Sequence, residues 1–124
     1  MWTFTISTGV LTDGTRTIEA YSGREGEWKN NPSDTDIVDY GPIPVGHYTI
    51  GNAFDDPIHG SIVMRLTPQD GTETFGRSGF LIHGDSRTHP GNASHGCIVT
   101  CGNTPHDDRK YIDASPDKDL EVVP

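Results

Sequence analysis

Two histidines and a cysteine stand where apolar segments meet a polar loop. Phe80-Leu81-Ile82-His83-Gly84 leads into the polar stretch Asp85 to Asn92, and Ala93-Ser94-His95-Gly96-Cys97-Ile98-Val99 leads out of it. A thiol attacks as thiolate, so its pKa of about 8.5 must be lowered or a base must take its proton. Imidazole can do either. His95 lies two residues before Cys97, which in extended chain puts both side chains on one side, roughly 6–7 Å apart at Cα. His83 ends a strand-like run, and the loop after it is long enough to fold back on Cys97. Such a base needs a group that holds its tautomer, and the carbonyl of Gly84 can serve. Gly96 lets the backbone turn beside the nucleophile and present N–H groups to an oxyanion. Ser94 adds a hydroxyl that can fix the turn or His95. A lone cysteine is most often a small buried hydrophobe, but these residues in this order point to a cysteine nucleophile.

Two other readings use the same residues. His83, Asp85, His89, His95, Cys97 and Cys101 could be zinc ligands, but their spacing fits no tight ligand pair of the usual kind. Neither metal nor cofactor is therefore expected. A non-catalytic binding module would keep the fold without needing the thiol. Cys97 and Cys101 are four apart, about 13 Å along a strand, which is beyond disulfide reach. At least one thiol is expected to be free.

The rest of the chain has to position this stretch. Its 124 residues are the size of one domain, taken as residues 1–124. Only 31% of residues are hydrophobic, against 15 Gly and 9 Pro, so the core is thin and the loops plentiful. A mainly β architecture of short strands follows. Eighteen acidic and nine basic residues give a net charge of −9, which phosphate backbones repel, so nucleic acid is not an expected partner. The same charge suits solubility, an amine-bearing substrate or a basic partner protein. No stretch reaches the ~20 apolar residues of a membrane span. The alternating start, Met1 to Ile6, does not read as a signal peptide.

Trp2, Phe4 and Ile6 alternate with threonine as a half-buried strand. Val10–Thr12 and Thr15–Tyr21 flank Asp13-Gly14, which predicts a two-residue hairpin turn. Ser22 to Tyr40 is a long loop, and Gly41 to Gly46 a stiff approach to a strand at His47–Ile50. Asp55-Asp56-Pro57 predicts a turn, then Ser61–Thr67 a strand with Ile62, Met64 and Leu66 on its core face. Gly79–Gly84 is the strand that enters the motif. Thr104 is the expected cap of one short helix that starts at Pro105 and ends near Ala114. Leu120–Val123 is the last strand.

Ile82-His83-Gly84 with Ser94-His95-Gly96-Cys97-Ile98 resembles the signature of L,D-transpeptidases, cysteine enzymes of bacterial peptidoglycan. Gly41-Pro42-Ile43-Pro44-Val45-Gly46-His47-Tyr48-Thr49-Ile50 looks like that family's proline-rich approach to a strand. Tyr21-Ser22-Gly23, Asn30-Asn31-Pro32, Gly76 to Phe80 and Pro90 to Ser94 look most like its type VI secretion effector branch, antibacterial toxins of the periplasm. The resemblance spans roughly Tyr21 to Val99. It implies an L,D-transpeptidase-like β-sandwich or barrel with long loops. Cys97 would be the acylated nucleophile, and His83 the base, oriented by Gly84. Ser94 and His95 would shape the site, with the N–H groups of His95, Gly96 and Cys97 near the oxyanion. The implied substrate is the peptidoglycan tetrapeptide stem, with hydrolysis or exchange at its terminal D-alanine.

Val99 departs from the Arg or Asn that many cell-wall maintenance members carry two places after the cysteine. Arg77 and Arg65 are candidates for the stem carboxylate, and Asp85, Ser86 and Arg87 for cleft lining. A cognate immunity protein is a candidate partner. The chain is expected to be a monomer, made in the cytoplasm and secreted by a dedicated system into a target cell's periplasm.

Overall fold

The computed structural model describes residues 1–124. Nine strands and one helix follow in order: β1 Trp2–Thr5, β2 Val10–Thr12, β3 Thr17–Ser22, β4 Gly46–Ile50, β5 Phe54–Asp56, β6 Gly60–Pro68, β7 Leu81–Gly84, β8 Ile98–Thr100, α1 Pro105–Ala114 and β9 Asp119–Val123. Eight of the strands pair in the order β4-β9-β1-β2-β3-β8-β7-β6, and β6 pairs again with β4, which closes a barrel. Closure removes the open edges that a sheet of such short strands would expose. β5 extends the β4 side of β6, pairing Phe54 with Val63 and Asp56 with Gly60.

The barrel's inward residues come from the alternation of its strands. Trp2, Phe4, Leu11, Ile18, Ile82, Ile98, Leu120 and Val122 all belong to one buried cluster of 17 side chains. Truncating Trp2 or Phe4 to Ala should cost about 3–5 kcal/mol. α1 packs against β6, β7 and β8 and adds Ile112 to the core. No helix is long and apolar enough to cross a membrane.

Three local expectations need correction. The β2–β3 connection is the four-residue loop 13–16, since Thr12 pairs with Thr17. The Asp13 carboxylate accepts the N–H groups of Thr15 and Arg16 at 2.9 and 2.8 Å, and this side-chain cap outweighs the tight turn that Gly14 would allow. In β6, Ile62 has φ 58 and breaks the alternation, so that Val63 and Met64 are both fully buried and Ile62 only half. Thr104 precedes α1, but its side chain makes no capping bond. The start is held instead by Pro105 and by Asp108, whose carboxylate pairs with Arg16 at 3.0 Å.

One topological fact sets up the site. β7 and β8 are parallel neighbours, with His83 beside Val99 and Ile82 beside Ile98. A parallel pair needs a crossover of roughly a dozen residues or more. Here the crossover is 85–97, the polar loop and the Ser-His-Gly-Cys run.

Candidate active site

Ile82 and Ile98 point into the barrel, so the pleat turns His83 and Cys97 to its outer face. Cys97 lies one step diagonally from His83 across the parallel pair, about 8 Å between Cα atoms at ideal spacings. Both side chains line one cleft of about 460 Å³, walled by Ser78 to Leu81, by Ile58 and His59 of the β5–β6 turn, and by Asp39 and His95. A second lobe of about 380 Å³ continues past His83 along Asp85, Ser86 and Arg87. Ile58, His59, His83 and Ala93 line both lobes.

The His83 ring is fixed in one tautomer. Its Nδ1–H donates to the Gly84 carbonyl at 2.8 Å. That carbonyl can only accept, so the neutral ring carries its proton on Nδ1 and a lone pair on Nε2. Nε2 is buried and has no partner. Burial is the main cause that pushes the ring's pKa down to about 4, ahead of the opposing Gly84 bond and the neighbouring His59 and Arg109. His83 is therefore neutral at physiological pH, an unpartnered acceptor in the cleft that Cys97 lines. Gly84 has a packing reason as well: a Cβ there would lie 2.9 Å from Nη1 of Arg109. Arg109 ties α1 to β6 and β8 through the Ile62 carbonyl at 3.0 Å and Thr100 Oγ1 at 2.8 Å.

The Cys97 thiol is pushed up to about 11, chiefly by burial, against the lowering effects of the Leu81 N–H and Arg77. At rest the two groups are thus a thiol and a neutral imidazole. Ser94, fully buried, organises the turn that holds the sulfur. Its Oγ donates to the Cys97 carbonyl at 2.7 Å and accepts the N–H groups of Gly23 at 2.9 Å and Gly96 at 3.2 Å. Ser94 thus takes the Gly96 N–H, one of the three expected oxyanion donors.

Gly96 sits at φ 127, and a Cβ there would stand 2.4 Å from Nη2 of Arg77. Arg77 reaches this point because Gly79, at φ 77, bends the chain between it and β7. The structure does not bring Arg77 to a position for grasping a substrate carboxylate. The guanidinium is buried and donates to the carbonyls of Thr35 at 2.5 Å, Pro42 at 2.7 Å, Gly41 at 2.9 Å and His95 at 3.4 Å. It braces the long loop against the turn that carries Cys97. Arg65 is on β6, 5.6 Å from the Phe54 ring, and lines neither lobe.

His95 is exposed, and its Nε2 accepts from Arg24 Nη2 at 3.3 Å. A lone pair already engaged by a guanidinium suits a wall better than a base. Asp85 is spent on holding the crossover: Oδ1 accepts from Tyr21 OH at 2.6 Å and Ser86 N–H at 2.8 Å, and both oxygens accept from Gly91 N–H. Tyr21 OH in turn accepts the Ala93 N–H at 2.9 Å. The polar loop is tied at both ends by these bonds. Ser86 lines the second lobe, and its Oγ accepts the His89 N–H at 3.0 Å. Cys97 and Cys101 are both free thiols. His83, Asp85, His89, His95, Cys97 and Cys101 form no group of three that could hold a metal ion.

Sequence reasoning missed His59. Its ring lies 4.3 Å from that of His83, tilted 36°, and its Nδ1–H donates to Asp56 Oδ2 at 2.6 Å. The signal was the spacing Asp56-Pro57-Ile58-His59, a turn that lets an aspartate reach back to the histidine three places on. Asp39 and Arg24 were also missed, because only the fold of the long loop brings Asp39 to the cleft and Arg24 to His95.

The family model described as the Tlde1 domain matches residues 16–114. No curated protein matches. Among solved structures, an L,D-transpeptidase from Mycobacterium smegmatis superposes with a TM-score of 0.57 at 18% identity, covering 99% of this chain and 58% of that one. An L,D-transpeptidase from Xylanimonas cellulosilytica superposes at 0.53 and 16%, covering 98% and 59%. At such identities the likeness shows the fold, mainly β with one short helix. The chain spans under two thirds of the length of these two structures.

Proposed function

From the premise that this chain belongs to the Tlde1 domain family, we propose that it is a cysteine enzyme that modifies peptidoglycan at the tetrapeptide stem. The reading is carried by one observation: the buried, unpartnered Nε2 of His83 in the cleft lined by the Cys97 thiol. The likeness to L,D-transpeptidase structures supports the choice of substrate class. Cys97 Sγ attacks the carbonyl that precedes the terminal D-alanine, and its proton passes to His83 Nε2. The N–H groups of His95 and Cys97 meet the oxyanion. Collapse breaks the C–N bond, the leaving amine takes the proton from His83, and a thioester remains on Cys97. Water attacking the thioester gives L,D-carboxypeptidase action, and an amine gives exchange or cross-linking. Release into a rival cell's periplasm as an antibacterial effector, acting as a monomer and checked by a cognate immunity protein, belongs to the same reading.

The test is mass spectrometry of digested peptidoglycan after incubation with the protein. Tetrapeptide stems should become tripeptides, and a supplied D-amino acid should appear in their place if exchange competes with hydrolysis. Untouched stems, or trimming that survives Cys97→Ala, would overturn the proposal. Cellular toxicity that persists in Cys97→Ala would instead mark a binding module.

A further inference from the structure

His59 and Asp56 form a constellation that the chemistry above does not use. Both come from the tip of the β5–β6 hairpin, which folds over β7. Asp56 Oδ2 is clasped twice by the same residue, by the His59 ring at 2.6 Å and by the His59 N–H at 2.9 Å. These bonds hold the Asp56 carboxyl below its ordinary range. The ring so fixed lies 4.3 Å from the base and lines both lobes of the cleft.

Two imidazolium rings at that distance repel, so the pair takes up one proton far more readily than two. His59 is partly exposed and touches a carboxylate, whereas His83 is buried and its Nε2 faces no anion. The other charged or titratable groups around His83 are Asp85 from the crossover, Arg109 from α1, and Cys97 beside β8. Around His59 they are Asp56 and His83, with Asp85 and Arg87 lining the same lobe.

We propose that Asp56 and His59 are a positioning pair for the base: Asp56 fixes the His59 ring, and that stacked ring keeps His83 Nε2 free to take the thiol's proton. The pair also shapes the second half of the reaction. Once His83 holds the proton from Sγ, its imidazolium sits beside a second polar ring and yields the proton readily to the leaving amine. The assignment rests on His83 being the base of Cys97, and the NMR half of its test does not need the stem to be the substrate.

Ring signals of the histidines are followed by NMR as pH falls, in parallel with the pH profile of D-alanine release. His59→Phe keeps the stacked ring and removes its charge. The His83 midpoint should then rise by about half a pH unit or more, and the acid limb of kcat/KM should move with it at nearly constant KM. His59→Gln gives the same direction and serves if the Phe variant fails to fold. A His83 midpoint unmoved in these variants would reduce His59 to packing and overturn the proposal. If the rings behave as described but stems are never trimmed, the pairing stands and the proposed substrate falls.

Discussion

Cys97 and Cys101 bracket the same three-residue strand, both are free, and burial pushes both thiols up to about 11. Their surroundings differ in sign and in shape. Before β8, Cys97 has the Leu81 N–H and Arg77 to favour thiolate, and it lines a cleft with a free imidazole nitrogen. After β8, Cys101 has Glu19 and Asp85 to oppose thiolate and only Lys29 to favour it, and it lines no cleft. Resting acidity therefore does not distinguish the two. The difference is a base that can take the proton during attack, together with room for a substrate.

The strongest test of that contrast is removal of the thiol beside the cleft. Cys97→Ala should lower D-alanine release by about 10⁴-fold or more, because no other group can form the acyl intermediate. Next in size is the choice between imidazoles. His83→Gln should cost about 10²–10⁴-fold in kcat, whereas His95→Gln should stay within about tenfold, since its Nε2 already accepts from Arg24. Equal losses would erase the distinction between base and wall.

The pH profile sharpens the same point. A base depressed to about 4 is competent when deprotonated, so activity should persist through pH 5 and fall about tenfold per unit below pH 4. An acid limb near the ordinary histidine value would mean that His83 is less buried during turnover. The brace behind the nucleophile gives a smaller effect, read as stability. Arg77→Met leaves carbonyls of Gly41 and Pro42 without their buried donor, which should cost about 2 kcal/mol or more. A thermal melt should show the midpoint lower by about 5–15 °C.

The sequence made the strands of the barrel readable where alternation was clean, as in Trp2 and Phe4 or Leu120 and Val122, because a half-buried strand has no other way to bury those side chains. It was less informative where one side chain outweighed a backbone preference. Asp13 does so in the β2–β3 loop, and in β6 the positive φ of Ile62 shifts the alternation by one residue. β5 was unreadable because three residues, two of them aspartate, carry no period. In the site, the Ser-His-Gly-Cys run pointed to the cleft by type and order alone. Arg77 looked like a free cation because its four carbonyl partners lie in Thr35, Gly41, Pro42 and His95, distant in sequence. His59 likewise becomes a neighbour of His83 only once the β5–β6 hairpin folds over β7.

The smallest expected effect falls on the other thiol. The fixed part of the Cys101 environment is its backbone: the N–H donates to the Glu19 carbonyl at 3.0 Å, a bond that any residue can make. The side chain is half-buried between like charges, so its removal leaves no ion unpaired and only a small void. Cys101→Ala should keep D-alanine release within about twofold and cost under about 1 kcal/mol of stability. Iodoacetamide should inactivate that variant as fast as the parent, because inactivation proceeds through Cys97. A clear loss of activity in Cys101→Ala would mean that the far side of β8 takes part in the chemistry, and the contrast between the two thiols would fail.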